Sequence, residues 1–239
     1  MSNPVNLYLS EMYKKVGFFA NWLPGDPIDI GAIGVLTGGR FRQESSLGDL
    51  KIPFKENDSG FPQDLRYTSS SGVSVSTSEK VAVAATATAE VSIEFSQQGA
   101  FLFHASGLRK RQFEKRTVIT RAVLDADAHG RWKKNWVLVD ALHTADYATI
   151  IVSESSNAGV VLTAQVSGPV SVVSLTDPKL GLQVTSSQGR LVQVICAQKL
   201  RPLYQCVRLS GGWLPGSEKR LEARGANIAS VGIRELLDS

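Results

Sequence analysis

The side chains able to do chemistry are few, and their spacing does not serve catalysis. The histidines are His104, His129 and His143. None stands in a His-x-x-x-His pair or a His-Glu-x-x-His run, the spacings that set two imidazoles on one helical face around zinc. A Gly-x-Ser-x-Gly elbow is absent from the sequence. His143 and Asp146 are parts of a triad by type, but they sit three apart on a stretch that reads as strand. Opposite parity there sends the two side chains to opposite faces. Glu90 and Glu94 share a parity and so a face. Neighbours of that kind on a solvated strand serve solubility, whereas a glycosidase pair converges in a cleft. Cys196 and Cys206 are too few for a disulfide framework and lack metal-ligand spacing. With His104 they read as packing residues. The expectation is a protein that is not an enzyme, binds no cofactor and works in a reducing compartment.

Charge is more informative by position than in total. Lys and Arg number 26 against 22 Asp and Glu, a net charge of +4. Arg109, Lys110, Arg111, Lys115 and Arg116 fall within eight residues, and Arg131, Lys133 and Lys134 follow. Such a cluster attracts phosphate groups, and the bland alternative is a solvated helix face. No stretch of about 18 apolar residues occurs, so a transmembrane helix is not expected. The N-terminus lacks the basic and apolar regions of a secretory signal. Membrane contact would then need amphipathic elements, either lying at the interface or closing into a barrel.

The elements that must carry these residues are mostly strands. Ser2 or Asn3 as a cap, Pro4 in the first turn, and Val5, Leu9, Met12, Val16 and Phe19 at helical spacing predict an N-terminal amphipathic helix with Lys14 and Lys15 off its apolar stripe. Ile28 to Leu36 reads as a strand, residues 44–50 as a short helical turn, and residues 55–72 as a loop. Residues 73–96 alternate: ten of twelve odd positions are apolar and ten of twelve even positions polar. That is the period of a strand with two unlike faces. Val81, Val83, Ala85, Ala87, Ala89, Val91, Ile93 and Phe95 keep one register for fifteen residues, where about five or six is usual. Alanines in the middle of the apolar face and Ser/Thr on the other hold register weakly, so the segment suits sliding or new pairing. The plain alternative is one long curved strand covered by a helix. Phe101 and Phe103 start a return strand. Residues 108–128 read as a basic helix, 136–153 and 158–166 as a second strand pair, and 180–184 with 191–196 as a hairpin. The fold class is α+β: a twisted, mostly antiparallel sheet with long strands, an N-terminal amphipathic helix and a few packed helices.

In element order this chain resembles the pore-forming domain of the gasdermin family, of the bacterial and fungal type with a short C-terminal tail. The segments that carry the resemblance are VAVAATATAEVSIEFSQQGAFLF, the following RKRQFEKR, and NWVLVDALHTADYATIIVSESSNAGVVL. It implies a domain over 1–216 and a restraining tail over 217–239. A protease would remove the tail. The freed domain would leave the cytoplasm, bind acidic phospholipid through Lys14, Lys15, Arg109, Lys110, Arg111, Lys115 and Arg116, and assemble with copies of itself into a pore that kills the cell. Regions 73–105 and 136–166 would insert, with Val81 to Phe95 on odd positions, Phe101, Phe103, Val160 and Leu162 meeting lipid. No nucleic-acid partner is implied. Two readings compete: a self-assembling or partner-binding β-rich structural protein without a membrane role, and an enzyme whose site one sequence does not reveal.

Overall fold

The computed structural model describes residues 4–22, 24, 27–37, 40–58, 60–81, 87–166, 174–210 and 220–223. Helix α1 (Pro4–Val16) opens the chain. Its buried residues Val5, Tyr8, Leu9 and Met12 follow the expected stripe, while Lys14 and Lys15 are exposed. Short strand β1 (Phe19–Ala20), β2 (Ala32–Thr37) and β3 (Arg40–Ser46) come next. Then follow β4 (Glu56–Asp58), β5 (Gln63–Thr68), β6 (Val73–Val81), β7 (Ala87–Phe95) and β8 (Phe101–Phe113). Helix α2 (Arg116–Ala128) leads into β9 (Val137–Ser153), β10 (Ala158–Val166), β11 (Gln183–Gln188), β12 (Leu191–Ser210) and β13 (Arg220–Ala223). The α+β reading is correct at this level: antiparallel sheet dominates and two α-helices accompany it among the described residues.

The chain folds as two compact units, one of residues 1–11, 62–108 and 145–200, the other of residues 12–61, 109–144 and 201–239. In the first, β5 lies antiparallel to β8, and a four-stranded antiparallel sheet runs β11-β10-β7-β6. Its core gathers Val91, Ile93 and Phe95 of β7 and Val160 and Leu162 of β10 with Leu102 and Ile151. In the second, the strand order is β1-β12-β9-β2-β3, with β13 on β12 and β4 on β8. Ile119, Val123 and Ala126, one face of α2, pack with Trp132, Trp136, Val137 and Leu138. A bulge at Ile33/Gly34 brings β3 so close that a Cβ on Gly34 would stand 2.0 Å from the Arg42 carbonyl oxygen. Only glycine fits that approach.

Several expectations need correction. The segment 73–95 is not one strand but the antiparallel hairpin β6–β7, paired from Val73↔Phe95 to Val81↔Ala87. Odd residues face odd residues across that ladder, so both arms keep the same parity on the same face. A period-two pattern therefore runs through the connection without a break. The turn expected over 44–50 starts later: residues 44–46 belong to β3, and the Leu50 N–H reaches the Ser46 carbonyl at 3.2 Å in the turn that follows; the expected loop 55–72 contains β4 and β5. The basic helix over 108–128 is also wrong at its start: Arg109, Lys110 and Arg111 end β8, whose outer half pairs with β4 through Glu56↔Phe113 to Asp58↔Arg111, and helix begins at Arg116. Ladder hydrogen bonds thus claim the backbone that charge spacing alone assigns to a helix. β11 pairs with β10, not with the chain after it.

Candidate membrane-contact and hairpin surfaces

The four-stranded sheet presents two chemically different faces. β7 and β10 pair from Ala158↔Phe95 to Val166↔Ala87. That register sets Ala89, Val91, Ile93 and Phe95 beside Ala158, Val160, Leu162 and Ala164, and all eight are buried. The opposite face carries Ser74, Ser76 and Ser78 on β6, and Thr88, Glu90, Ser92 and Glu94 on β7. It continues through Thr163 and Gln165 of β10, and a shallow concavity of about 330 Å³ lies on it between Ser92, Glu94, Val161, Ser186 and Gln188. Burial declines outward: Val73 is half-buried, Val75 is 47% exposed, and every residue of β11 is exposed. The outer strands β6 and β11 each have one partner strand among the described residues. β11 and most of β6 are dressed with Ser, Thr and Gln, and Glu79 and Lys80 near the end of β6 are the only charges on these two strands.

The residues expected to meet lipid therefore divide. Ala89, Val91, Ile93, Phe95, Phe101, Phe103, Val160 and Leu162 lie in the interior. Val83 and Ala85 fall outside the described residues, and of Val81 and Ala87 only the backbone is described. β9, expected to insert, is buried along most of its length, and Ile33↔Leu138 joins it to β2.

The basic residues divide as well. Arg111 is committed to Glu56, at 2.9 Å from Nε, and to Asp29, at 3.2 Å. Arg116 pairs with Asp140, whose side chain is 1% exposed. Lys110 points the other way: its Nζ lies 5.5 Å above the Phe18 ring, which meets His143 edge-on at 4.4 Å. Phe18 follows the last turn of α1, where Lys14 and Lys15 stand exposed at the negative end of the helix dipole. Lys110 and Phe18 thus meet, and Lys14 and Lys15 precede Phe18 at the end of α1 in the same unit. Charge spacing does not reveal Phe18. Lys115 is exposed beside Lys55 on a groove of about 370 Å³ formed by Phe54, Val118 and Ile119.

Nothing in these surfaces resembles a reaction centre. Burial, with the Lys110 charge, pushes the imidazole of His143 down to about 4. His104 is likewise pushed down to about 4 by burial and by Arg66, the residue opposite it on β5. Both rings are neutral near pH 7, and the buried Nδ1 of His143 has no hydrogen-bond partner among the described residues. No group of three His, Cys, Asp or Glu among the described residues could hold a metal ion. No described helix is long and apolar enough to cross a membrane, which leaves crossing by strands open.

No family model matches the chain, and no curated protein matches it. Among solved structures it is similar to the membrane pore of gasdermin A3, with a TM-score of 0.38 and 9% identity over 98% of this chain and 99% of that one. A likeness at that level carries no weight for fold or function.

Proposed function

We propose that the chain is a gasdermin-like pore-forming protein that binds acidic membranes and closes into an oligomeric β-barrel after its C-terminal tail is released. The observation that carries this reading is the β11-β10-β7-β6 sheet, in which, across β7 and β10, one face is apolar and the other, Gly159 and Val161 apart, is Ser, Thr, Gln and Glu. A transmembrane barrel requires that division, with apolar residues outward and a polar lumen. β6, β7 and β10 have nine residues each, the lower end of the roughly 9–11 that a tilted strand needs. The outer edges of β6 and β11, which pair with no other strand among the described residues, would allow copies to join strand to strand, and a closed barrel leaves no edge in lipid. Lys14, Lys15, Phe18 and Lys110 would meet acidic head groups first, with Arg109 and Lys115 nearby in sequence. Arg111 and Arg116 would join only by exchanging their carboxylate partners. Val91, Ile93, Phe95, Val160 and Leu162 would turn from the interior to lipid, while Glu90 and Glu94 stay wet.

The tail has a structural root in β13, which pairs with β12 from Val207↔Ala223 to Ser210↔Arg220. The remainder of 217–239 lies outside the described residues. Cutting between β12 and β13 would unpin that strand. The test is dye release from phosphatidylserine vesicles by the purified full chain, before and after nicking at a protease site introduced next to Gly216. Leakage after nicking, and much less from phosphatidylcholine vesicles, is the expected result. An absence of leakage from either vesicle overturns the proposal. Ordered lipid-free assembly would favour instead a self-assembling structural protein, a reading to which the same open edges lend themselves.

A further inference from the structure

The apolar face of β7 and β10 is covered unequally along its length. Near Phe95 and Ala158 it meets Ala100, Leu102 and Ile151 in a continuous core. Toward the other end the cover of Ala89 and Ala164 is supplied by Leu180 and Leu182. Those leucines belong to residues 174–182, which contain a short 3-10 helix, Pro178–Leu180. Asp177 caps that helix by accepting from the Lys179 N–H at 2.9 Å, and Gly181 closes it at φ +56°. Leu175 and Thr176 at the near end are buried.

Besides the packing of its leucines, one hydroxyl ties the near end of this segment to β9 and β12 among the described residues. Thr149, fully buried on β9, donates through Oγ1 to the Leu175 carbonyl and accepts from the Cys196 N–H at 2.9 Å. Cys196 lies on β12 at φ +45°, a left-handed conformation that a non-glycine residue holds only when its surroundings impose it. Loss of the hydroxyl leaves a buried carbonyl and a part-buried N–H without this partner at once.

We propose that residues 174–182 act as a strap that holds the apolar face of the hairpin sheet shut, with Thr149 as its latch. The inference deepens the pore reading, from which it takes only that this face must be uncovered. The strap is the part of the cover that can leave without dismantling β8 and β9. Thr149 is a positioning residue: it touches no lipid and acts through Leu175.

Amide hydrogen exchange on the full chain, without lipid, tests it. Thr149→Val keeps the shape and removes the hydroxyl. It should speed exchange at Leu175–Leu182 at least about tenfold, while Val137–Val139 stay near wild-type rates. Thr149→Ser should restore protection. Uncovering of the apolar face is read by thiol labelling of Ala164→Cys, mapped by peptide, which Thr149→Val and Leu180→Ala should each speed. Unchanged exchange at the strap in Thr149→Val, a rise spread evenly through both units, or unchanged labelling at position 164 would each overturn the inference. Because no membrane enters the measurement, its failure leaves vesicle leakage standing as the test of the pore, and failed leakage leaves the strap.

Discussion

Asp140 shows how one side chain can couple charge to packing. It lies on β9 with its carboxyl nearly sealed from water, and Arg116 at the head of α2 is its ion-pair partner. Burial raises the acid to about 6, against the opposing pull of Arg116 and Lys110. A carboxyl raised above its unfolded value contributes stability below that value and loses it as pH rises through 6. Arg116→Ala removes the partner, so at about pH 7.5 it leaves an ionised group buried alone. The expected cost is about 2 kcal/mol, below the 3–5 kcal/mol of fully buried pairs because the Arg116 side chain is 54% exposed. At about pH 4.5 the carboxyl is protonated and the cost should fall below half. Urea unfolding at the two pH values checks this, and equal losses at both would refute the coupling. The sequence showed Arg116 as one cation of a cluster and gave no sign of Asp140, since the pair is made by a contact twenty-four residues apart in the chain. The same gap hid the engagement of Arg111 and the aromatic partner of Lys110.

At the scale of elements, the hairpin β6–β7 was legible in its faces and illegible in its turn. Alternation identified Val91, Ile93 and Phe95 as one face and Ser92 and Glu94 as the other, and burial agrees. The turn was hidden because parity is conserved across it. β4 carries only exposed polar residues, and in β5 the alternation is limited to half-buried Leu65 and Tyr67, too short to stand out from the Ser, Asp, Pro and Gly around it. α1 is legible because its stripe and closing lysines agree with one another, but Phe19, expected on that stripe, belongs to β1, and the expected caps Ser2 and Asn3 lie outside the described residues. A direct check of the two-faced sheet follows from the burial contrast. Ile93 is 0% exposed in the β7–β10 core, so Ile93→Ala should cost about 3 kcal/mol through lost transfer energy and a cavity. Ser92→Ala on the neighbouring position should change stability by less than about 0.5 kcal/mol. Denaturant midpoints measure both. A cheap Ile93→Ala would mean that the face is loosely packed, and a costly Ser92→Ala that the polar face is covered.

For the whole molecule, acid should act on both units through one histidine in each. His104 lies in the first unit and His143 in the second, and burial holds both well below the free value of 6.5. A depressed pKa of this kind contributes stability that is full above 6.5 and is lost as pH falls toward 4, because the unfolded chain takes up protons that the folded chain refuses. Asp140 opposes them, gaining stability as pH falls through 6. Between about pH 6 and pH 4 the unfolded state therefore binds two protons more at the histidines and one fewer at the carboxyl. The net of one proton sets a slope of at most ~1.4 kcal/mol per pH unit, nearer 1 once the partial exposure of both rings is allowed for. The chain should thus lose about 2 kcal/mol over those two units from these groups. His104→Asn and His143→Asn together should remove the histidine share and reverse the sign, since Asp140 then acts alone. Urea unfolding of wild type and the double variant at about pH 4.5 and 6.5 reads the difference. Parallel slopes in the two proteins would show that the histidines are not what makes the fold acid-sensitive, and that another set of carboxylates governs it.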